Sequence, residues 1–150
     1  MMLRTLVFLY FALFSTSIFS KEIPVIVISA SKSPQSYSSV GSQVTIIDSE
    51  TIKNSSDSFL TDLLNNEVQG MNIFSLGGRG TNTGIQIRGL PKRYSTIYID
   101  GVKMYDPSTP DNSFYSEGLF KDNIDRIEIL KGSQSSLYGN SAVGGTINIF

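Results

Sequence analysis

The chain has 150 residues, of which 40% are hydrophobic and 17% are charged, and it contains neither cysteine nor histidine. Without cysteine it can form no disulfide scaffold, and without both residue types it can form no Cys/His zinc site and no catalytic centre based on a Ser-His or Cys-His pair. The formal net charge of -1 gives no basic surface for nucleic acid. The length and composition favour one globular domain with its own hydrophobic core.

The first 20 residues have the layout of a secretory signal peptide. Arg4 supplies the positive start, residues 6–14 form an unbroken apolar run, and Ser20 is a small residue before a cleavage point. Cleavage after Ser17 is an alternative, because Ile18 is large for its position two residues before Ser20. An uncleaved anchor helix is disfavoured, since spanning a bilayer takes ~20 apolar residues. We therefore expect an exported protein, and the lack of cysteine favours a bacterial envelope.

Short β-branched and alternating segments predict strands, and apolar residues at helical spacing predict helices. Strands are predicted at 23–30, 44–47, 71–74, 85–87, 96–99, 102–104, 124–130 and 144–150. A helix capped by Asp48 or Ser49, a second at 57–66 and one helical turn at 133–138 complete the elements, with loops at 29–42 and 105–117. The elements do not alternate regularly, which predicts the α+β class: a small mixed sheet with short helices and long loops. The last strand has no following turn, so we expect the protein to continue beyond Phe150.

The sequence offers little for catalysis. Asp100, Asp125 and Glu128 are the carboxylates nearest to apolar strands, but no nucleophile accompanies them, and we interpret them as a turn aspartate and solvated strand charges. Asp106, Asp111 and Asn112 could supply oxygen ligands to Ca²⁺. Their spacing is not that of an EF-hand, however, and a solvated loop is the simpler interpretation. We expect no enzyme and no cofactor.

Residues 23–30 form the best binding candidate that the residues themselves offer. They are apolar and extended, and a Ser-rich stretch follows them. Such a segment can add its edge to another protein's sheet, at ~1 kcal/mol per backbone hydrogen bond. The alternative, that it is simply the first strand of this domain, is equally favoured.

Residues 124–149 resemble the plug domain of TonB-dependent outer-membrane receptors. The family pattern is Ile-Glu-Arg-Ile-Glu-Val-Leu-Lys/Arg-Gly-Pro-x-Ser-x-Leu-Tyr-Gly, then Gly-Gly and Val-Ile-Asn-Ile, and this chain has IDRIEILKGSQSSLYGNSAVGGTINI. It departs mildly at Asp125, Ser133 and Thr146. Upstream, IRG at 87–89, YIDGV at 98–102 and VIVISASK at 25–32, which is similar to the TonB box, follow in the family order. The resemblance spans about 22–150, and residues 102–108 are most similar to the vitamin B12 transporter subgroup.

The resemblance implies a signal peptide at 1–20, a TonB box and linker at 21–42, and a plug domain at 43–150. In the family, the plug fills a barrel of about 22 strands in the bacterial outer membrane, and no such barrel is encoded here. Substrate binding loosens the TonB box, which the C-terminal domain of TonB then pairs with and pulls. The residues assigned to TonB by this resemblance are Ile26, Val27, Ile28, Ser29 and Ala30.

The resemblance also implies a substrate surface and a barrel-facing surface. Loops 75–83, 92–95 and 105–115 are expected to bind the substrate, which is cobalamin or another metal chelate, such as a ferric siderophore or haem. The residues expected to contact that substrate are Tyr94, Tyr105, Asp106, Phe114 and Tyr115. Family plugs pair two cations with barrel carboxylates; Arg88 matches one, and either Arg126 or Lys131 matches the other. A stand-alone periplasmic binding or sensing module is the alternative function.

Overall fold

The computed structural model describes residues 25–111 and 113–150, so the predicted signal peptide lies outside the described residues. The strands are β1 (Ile26–Val27), β2 (Gln35–Ser36), β3 (Gln43–Ile47), β4 (Met71–Ser75), β5 (Thr83–Ile87), β6 (Ser95–Ile99), β7 (Val102–Met104), β8 (Ile127–Lys131) and β9 (Gly145–Ile149). The helices are α1 (Ser49–Asn54), α2 (Leu60–Glu67) and α3 (Ser135–Tyr138). The predicted α+β class, with a small mixed sheet and short helices, is confirmed.

Five strands form the main sheet in the order β3-β8-β9-β6-β7. Strands β6 and β9 are parallel, and the other neighbours in this sheet are antiparallel. The register places Glu128 opposite Asn148, and Asn148 opposite Tyr98. Because side chains alternate along a strand, these three residues share one face of the sheet while Ile127, Ile129 and Ile147 point to the other.

The isoleucine face carries the main hydrophobic core. Helix α2 places Leu60, Leu63 and Leu64 on this face, and all three are buried. The hairpin of β4 and β5 adds Ile73 and Ile87 to the same core. These apolar positions recur at helical spacing in α2 and at alternate positions in the strands, which is why the pattern predicted both elements.

The opposite face of the main sheet is also covered. Val27, from the N-terminal segment, packs with Val44 and Leu130 and is fully buried. Tyr138, at the end of α3, packs against Tyr98 and Ala142. Strand β8 is therefore buried on both faces, like a strand at the centre of a two-sided core.

Local turn chemistry fixes the element ends. The carboxylate of Asp48 accepts a hydrogen bond from the amide of Thr51 at 2.8 Å, which makes Asp48 the cap of α1. Asp100 and Gly101 both have positive φ, at 48° and 80°, which is the backbone of the predicted tight hairpin between β6 and β7. Both features confirm sequence predictions, the first in favour of Asp48 over Ser49.

Some predicted bounds differ from the structure. Helix α2 begins at Leu60, and Phe59 instead lies in a bridge with Phe120. Strand β8 begins at Ile127, so Ile124 precedes it. The predicted loop at 29–42 contains β2, which pairs with β1. Within residues 25–111 and 113–150, no helix has the length and apolar character needed to cross a membrane.

Candidate functional site

The segment of residues 26–30 lies against the main sheet, and we call it the docked segment. Ile26 and Val27 of β1 pair antiparallel with Ser36 and Gln35 of β2. Val27 is 0% exposed and Ser29 is 2% exposed. The docked segment therefore belongs to the fold of this domain, but it adds no strand to the main sheet.

Glu128 on β8 holds the docked segment. Its Oε2 accepts hydrogen bonds from the backbone amides of Ile28, at 3.0 Å, and Ser29, at 2.8 Å, and from the hydroxyl of Ser29. Its Oε1 lies 3.0 Å from Nη2 of Arg126. The side chain of Glu128 is fully buried, so the prediction of a solvated strand charge is wrong for this residue. A buried carboxylate is tolerable only with such donors around it.

Tyr138 makes the second polar contact with the docked segment. Its hydroxyl donates a hydrogen bond to the carbonyl of Ser29 at 2.6 Å. Its ring packs edge-on against Tyr98, whose hydroxyl donates to the carbonyl of Tyr138 at 3.2 Å. Burial raises the pKa of Tyr138 to about 12, with smaller contributions from Tyr98 and Glu128. The phenol therefore stays a hydrogen-bond donor throughout the physiological range.

The carboxylates considered for catalysis have structural environments. Asp100 forms part of the β6–β7 turn and is exposed, and Asp125 is exposed before β8. Glu128 has its oxygens engaged by the docked segment and by Arg126. The geometry assigns Glu128 to binding a segment of its own chain.

Lys92 joins the three loops that were predicted to carry substrate. Its Nζ lies 2.7 Å from Oδ2 of Asp111 and 3.4 Å from Oδ1 of Asn82. One side chain thus links loops 75–83, 92–95 and 105–115, which we call the loop cluster. Burial alone would raise the pKa of Asp111, but hydrogen bonds from Lys92 and Ser113 hold it below its usual value.

The predicted substrate residues differ in exposure. Tyr105 and Tyr115 are exposed, whereas Tyr94 and Phe114 are half-buried, and Phe114 packs against the main core. The carboxylate of Asp106 accepts the amide of Ser108 at 2.9 Å, and its hydrogen bonds with Ser108 lower the pKa of Asp106. Asp106 therefore has a turn-forming role, and the tyrosines offer the larger accessible surface.

The Ca²⁺ hypothesis gains no support from this loop. Asp111 is paired with Lys92. Asn112 lies outside the described residues. Among residues 25–111 and 113–150, no group of three or more acidic, histidine or cysteine side chains could hold a metal ion.

Two of the three candidate barrel-pairing cations lie together. Arg88 is exposed and lines one cleft with Lys131 and Gln43, whose side-chain oxygen accepts a hydrogen bond from Arg88. Lys131 is only 7% exposed and donates to the carbonyl of Gln69 at 2.6 Å. Burial and, second, the charge of Arg88 lower the pKa of Lys131. Lys131 is therefore a buried cation with a bonded partner, and Arg126 is engaged elsewhere, with Glu128.

Comparison with known families connects these features. The sequence profile of the TonB-dependent Receptor Plug Domain matches residues 36–146. The chain belongs to this plug-domain family. The matched range contains four of the five strands of the main sheet and the start of the fifth, β9, so the family resemblance and the observed fold describe the same domain.

Curated relatives of this plug domain include vitamin B12 transporters. It is 32% identical over 124 residues to the vitamin B12 transporter BtuB of Vibrio cholerae serotype O1, a match that covers 83% of this chain and 20% of that protein. The identity to the BtuB of Photobacterium profundum is 29% over 125 residues, with the same coverage. The chain thus spans about one fifth of the length of these relatives.

Solved structures with this fold include siderophore receptors. The ferric yersiniabactin uptake receptor FyuA from Yersinia pestis matches with a TM-score of 0.54 and 26% identity, over 72% of this chain and 16% of that one. The ferripyoverdine receptor of the outer membrane of Pseudomonas aeruginosa matches with a TM-score of 0.64 over 84% of this chain and 16% of that one. At 16% identity, the second match shows the fold alone.

Sequence reasoning missed two residues that organise this plug domain. Glu128 was interpreted as a strand charge, although it lies in a strand whose neighbours in sequence are apolar on both faces. That pattern is typical of a strand buried on both sides, where a carboxylate needs partners. Lys92 carried no comparable signal, because its partners Asn82 and Asp111 lie in other loops.

Proposed function

We propose that this plug domain gates the energy-coupled uptake of a large nutrient, a cobalamin-like molecule or a ferric siderophore, through the barrel of a TonB-dependent transporter. The observation that carries this proposal is the docked segment. It coincides with the predicted TonB box, and polar contacts to Glu128 and Tyr138 hold it on the sheet. Such contacts can be exchanged for those of a partner without unfolding the core, since local regions open at less than the global free energy of unfolding.

The loop cluster is the proposed substrate surface. Lys92 holds its three loops together, and Tyr105 and Tyr115 present exposed aromatic area with a polar tip. Relatives with this domain are a vitamin B12 transporter and a ferric yersiniabactin uptake receptor, which supports a large chelate as the substrate class. Substrate contact at these loops would then favour release of the docked segment.

Arg88 and Lys131 are the proposed barrel-pairing cations. Both line the cleft that includes Gln43, so one pair of barrel carboxylates could reach both charges. Arg126 is the weaker alternative, because it already pairs with Glu128. Removing one partner of a buried pair costs about 3–5 kcal/mol, so this surface would fix the plug within its barrel.

The proposed location is the bacterial outer membrane, reached through the periplasm by way of the predicted signal peptide. The Pseudomonas aeruginosa relative is named as a receptor of the outer membrane. The proposed partners are the C-terminal domain of TonB and the receptor's own barrel. Catalysis forms no part of this role.

The experiment that tests the proposal is Ile28→Pro in the complete receptor. Proline removes the Ile28 N–H and fixes the backbone φ angle, which disrupts a strand pairing across this segment, so uptake should be lost while substrate binding stays intact. Ile28→Ala is the matched control, since it keeps the N–H and should retain uptake. Equal loss of binding and uptake in the proline variant would contradict the assignment of this segment to TonB.

A further inference from the structure

The backbone of the docked segment is turned at Ile28 and Ser29. Successive amides of an extended strand point in opposite directions. Here the amides of Ile28 and Ser29 both reach Oε2 of Glu128, at 3.0 and 2.8 Å. Consecutive amides that converge on one anion form a concave anion-binding turn, so these two residues are not in strand geometry while they are docked.

We propose that Glu128 is an internal anchor that competes directly with a strand-pairing partner for the amides of Ile28 and Ser29. In any strand pairing across this segment, alternate amides face the partner, so either the Ile28 or the Ser29 amide is required in each register. Both amides are already bonded to Glu128. Docking and partner pairing therefore exclude each other, and the identity of the partner in this inference rests on the proposed function.

The anchor is strong because the carboxylate of Glu128 is buried away from solvent and surrounded by hydrogen-bond donors. Its side chain is 0% exposed, and its oxygens receive the amides of Ile28 and Ser29, the hydroxyl of Ser29 and the guanidinium of Arg126. Hydrogen bonds to an ionised group are stronger than those between neutral groups. Arg126 binds Oε1 of the carboxylate, which the amide of Ile28 also reaches at 3.3 Å, so Arg126 is a positioning residue for the anchor.

Glu128→Gln tests the anchor by amide hydrogen exchange. The variant keeps the size of the side chain and removes its charge. Exchange at Ile28 and Ser29 should become roughly 10- to 100-fold faster, because the bonds to a charged acceptor are lost. The exposed Glu50 gives the matched control, since Glu50→Gln makes the same change in net charge away from the segment and should leave both amides unchanged.

The competition is tested by titrating the same variants with the C-terminal domain of TonB. Glu128→Gln should bind this domain about tenfold more tightly than the unchanged chain, because a larger fraction of the segment is free to pair. If exchange rises but no variant binds, the anchor stands and the proposed TonB partner is wrong. If exchange at Ile28 and Ser29 does not change while the sheet stays intact, the anchor itself is overturned.

A second variant covers the case in which Glu128→Gln unfolds the domain. The amides of Ile129 and Ile147, in the centre of the sheet, report unfolding and should stay protected in an interpretable variant. Ser29→Ala removes one donor to Glu128 and leaves the pair with Arg126 in place, so it should speed exchange at the amide of Ile28 by a few-fold. Ser31→Ala is its control, because the Ser31 hydroxyl bonds to Ser33. Equal exchange in both serine variants would overturn the proposal.

Discussion

Tyr138 connects the docked segment to the sheet through one hydroxyl group. The hydroxyl donates to the carbonyl of Ser29 at 2.6 Å, and the tyrosine side chain is 8% exposed. Because both partners are buried, loss of the hydroxyl leaves the carbonyl without that donor. Tyr138 thus contributes both packing and a polar contact to the same face.

Tyr138→Phe should lower the free energy of unfolding by about 1–2 kcal/mol at neutral pH, because a buried acceptor loses its partner. Urea denaturation measures this change. The ring is retained, so a larger loss would indicate that the aromatic packing with Tyr98 had also changed. No change would show that the Ser29 carbonyl finds another donor.

The same residue gives a pH dependence with a definite sign. The folded pKa of Tyr138 is about 12, above its ordinary value of 10.0, so the folded state holds this proton more tightly than the unfolded state. The associated stability is complete below about pH 10 and is lost as the pH rises through about 12. Between pH 9 and pH 11, the free energy of unfolding measured by urea denaturation should fall less for Tyr138→Phe than for the unchanged chain.

At the scale of elements, β9 depends on a glycine where it begins. Gly145 has φ of +152°, and a Cβ at this position would overlap the carbonyl oxygen of Leu130 on β8. Gly145→Ala should therefore destabilise the domain by at least about 2 kcal/mol, measured by urea denaturation. Gly41→Ala is the control, since nothing lies within 4 Å of an added Cβ there, and it should stay within about 0.5 kcal/mol.

The loop cluster gives a second prediction at this scale. Lys92→Met removes the charge that links Asp111 and Asn82 but keeps an unbranched side chain. Loops 75–83 and 105–115 should become more susceptible to limited proteolysis, while global stability falls by less than about 1 kcal/mol because the ion pair is partly exposed. The control variant Lys53→Met, at an exposed position in α1, should be cleaved at the same rate as the unchanged chain. Equal cleavage of both variants would show that Lys92 does not hold the loops.

The sequence predicted elements better than contacts between elements. Helix α2, the β6–β7 hairpin and the Asp48 cap follow from local signals, namely apolar spacing, Asp-Gly and an N-cap carboxylate. The pairing of β6 with β9 and the role of Glu128 involve partners distant in the chain, which periodicity does not specify. The burial of Lys131 likewise depends on distant partners, namely Gln69 and the strands on both sides of β8.

At the scale of the whole molecule, the docked segment completes the second face of the sheet. A chain that begins at Lys32 would lose Val27, whose burial is worth about 1.5–3 kcal/mol, and would remove three donors from the buried Glu128. We expect a fall of at least about 3 kcal/mol in the free energy of unfolding, seen as a lower urea midpoint. A chain that begins at Val25 keeps every one of these contacts and should match the 150-residue chain. Equal midpoints for the two truncated chains would contradict the structural role of the segment.

The stretch between the docked segment and β3 sets how far that segment can travel. Residues 31–42 hold only the two-residue β2 and a single 3₁₀ turn, and β2 pairs with the docked segment itself. Once the segment detaches, this stretch can extend to roughly 40 Å before β3 is pulled. A partner could therefore hold the freed end well away from the domain while the sheet remains intact. Capture of the segment and mechanical strain on the sheet would then be two separate stages. The second would begin only when residues 31–42 are fully extended.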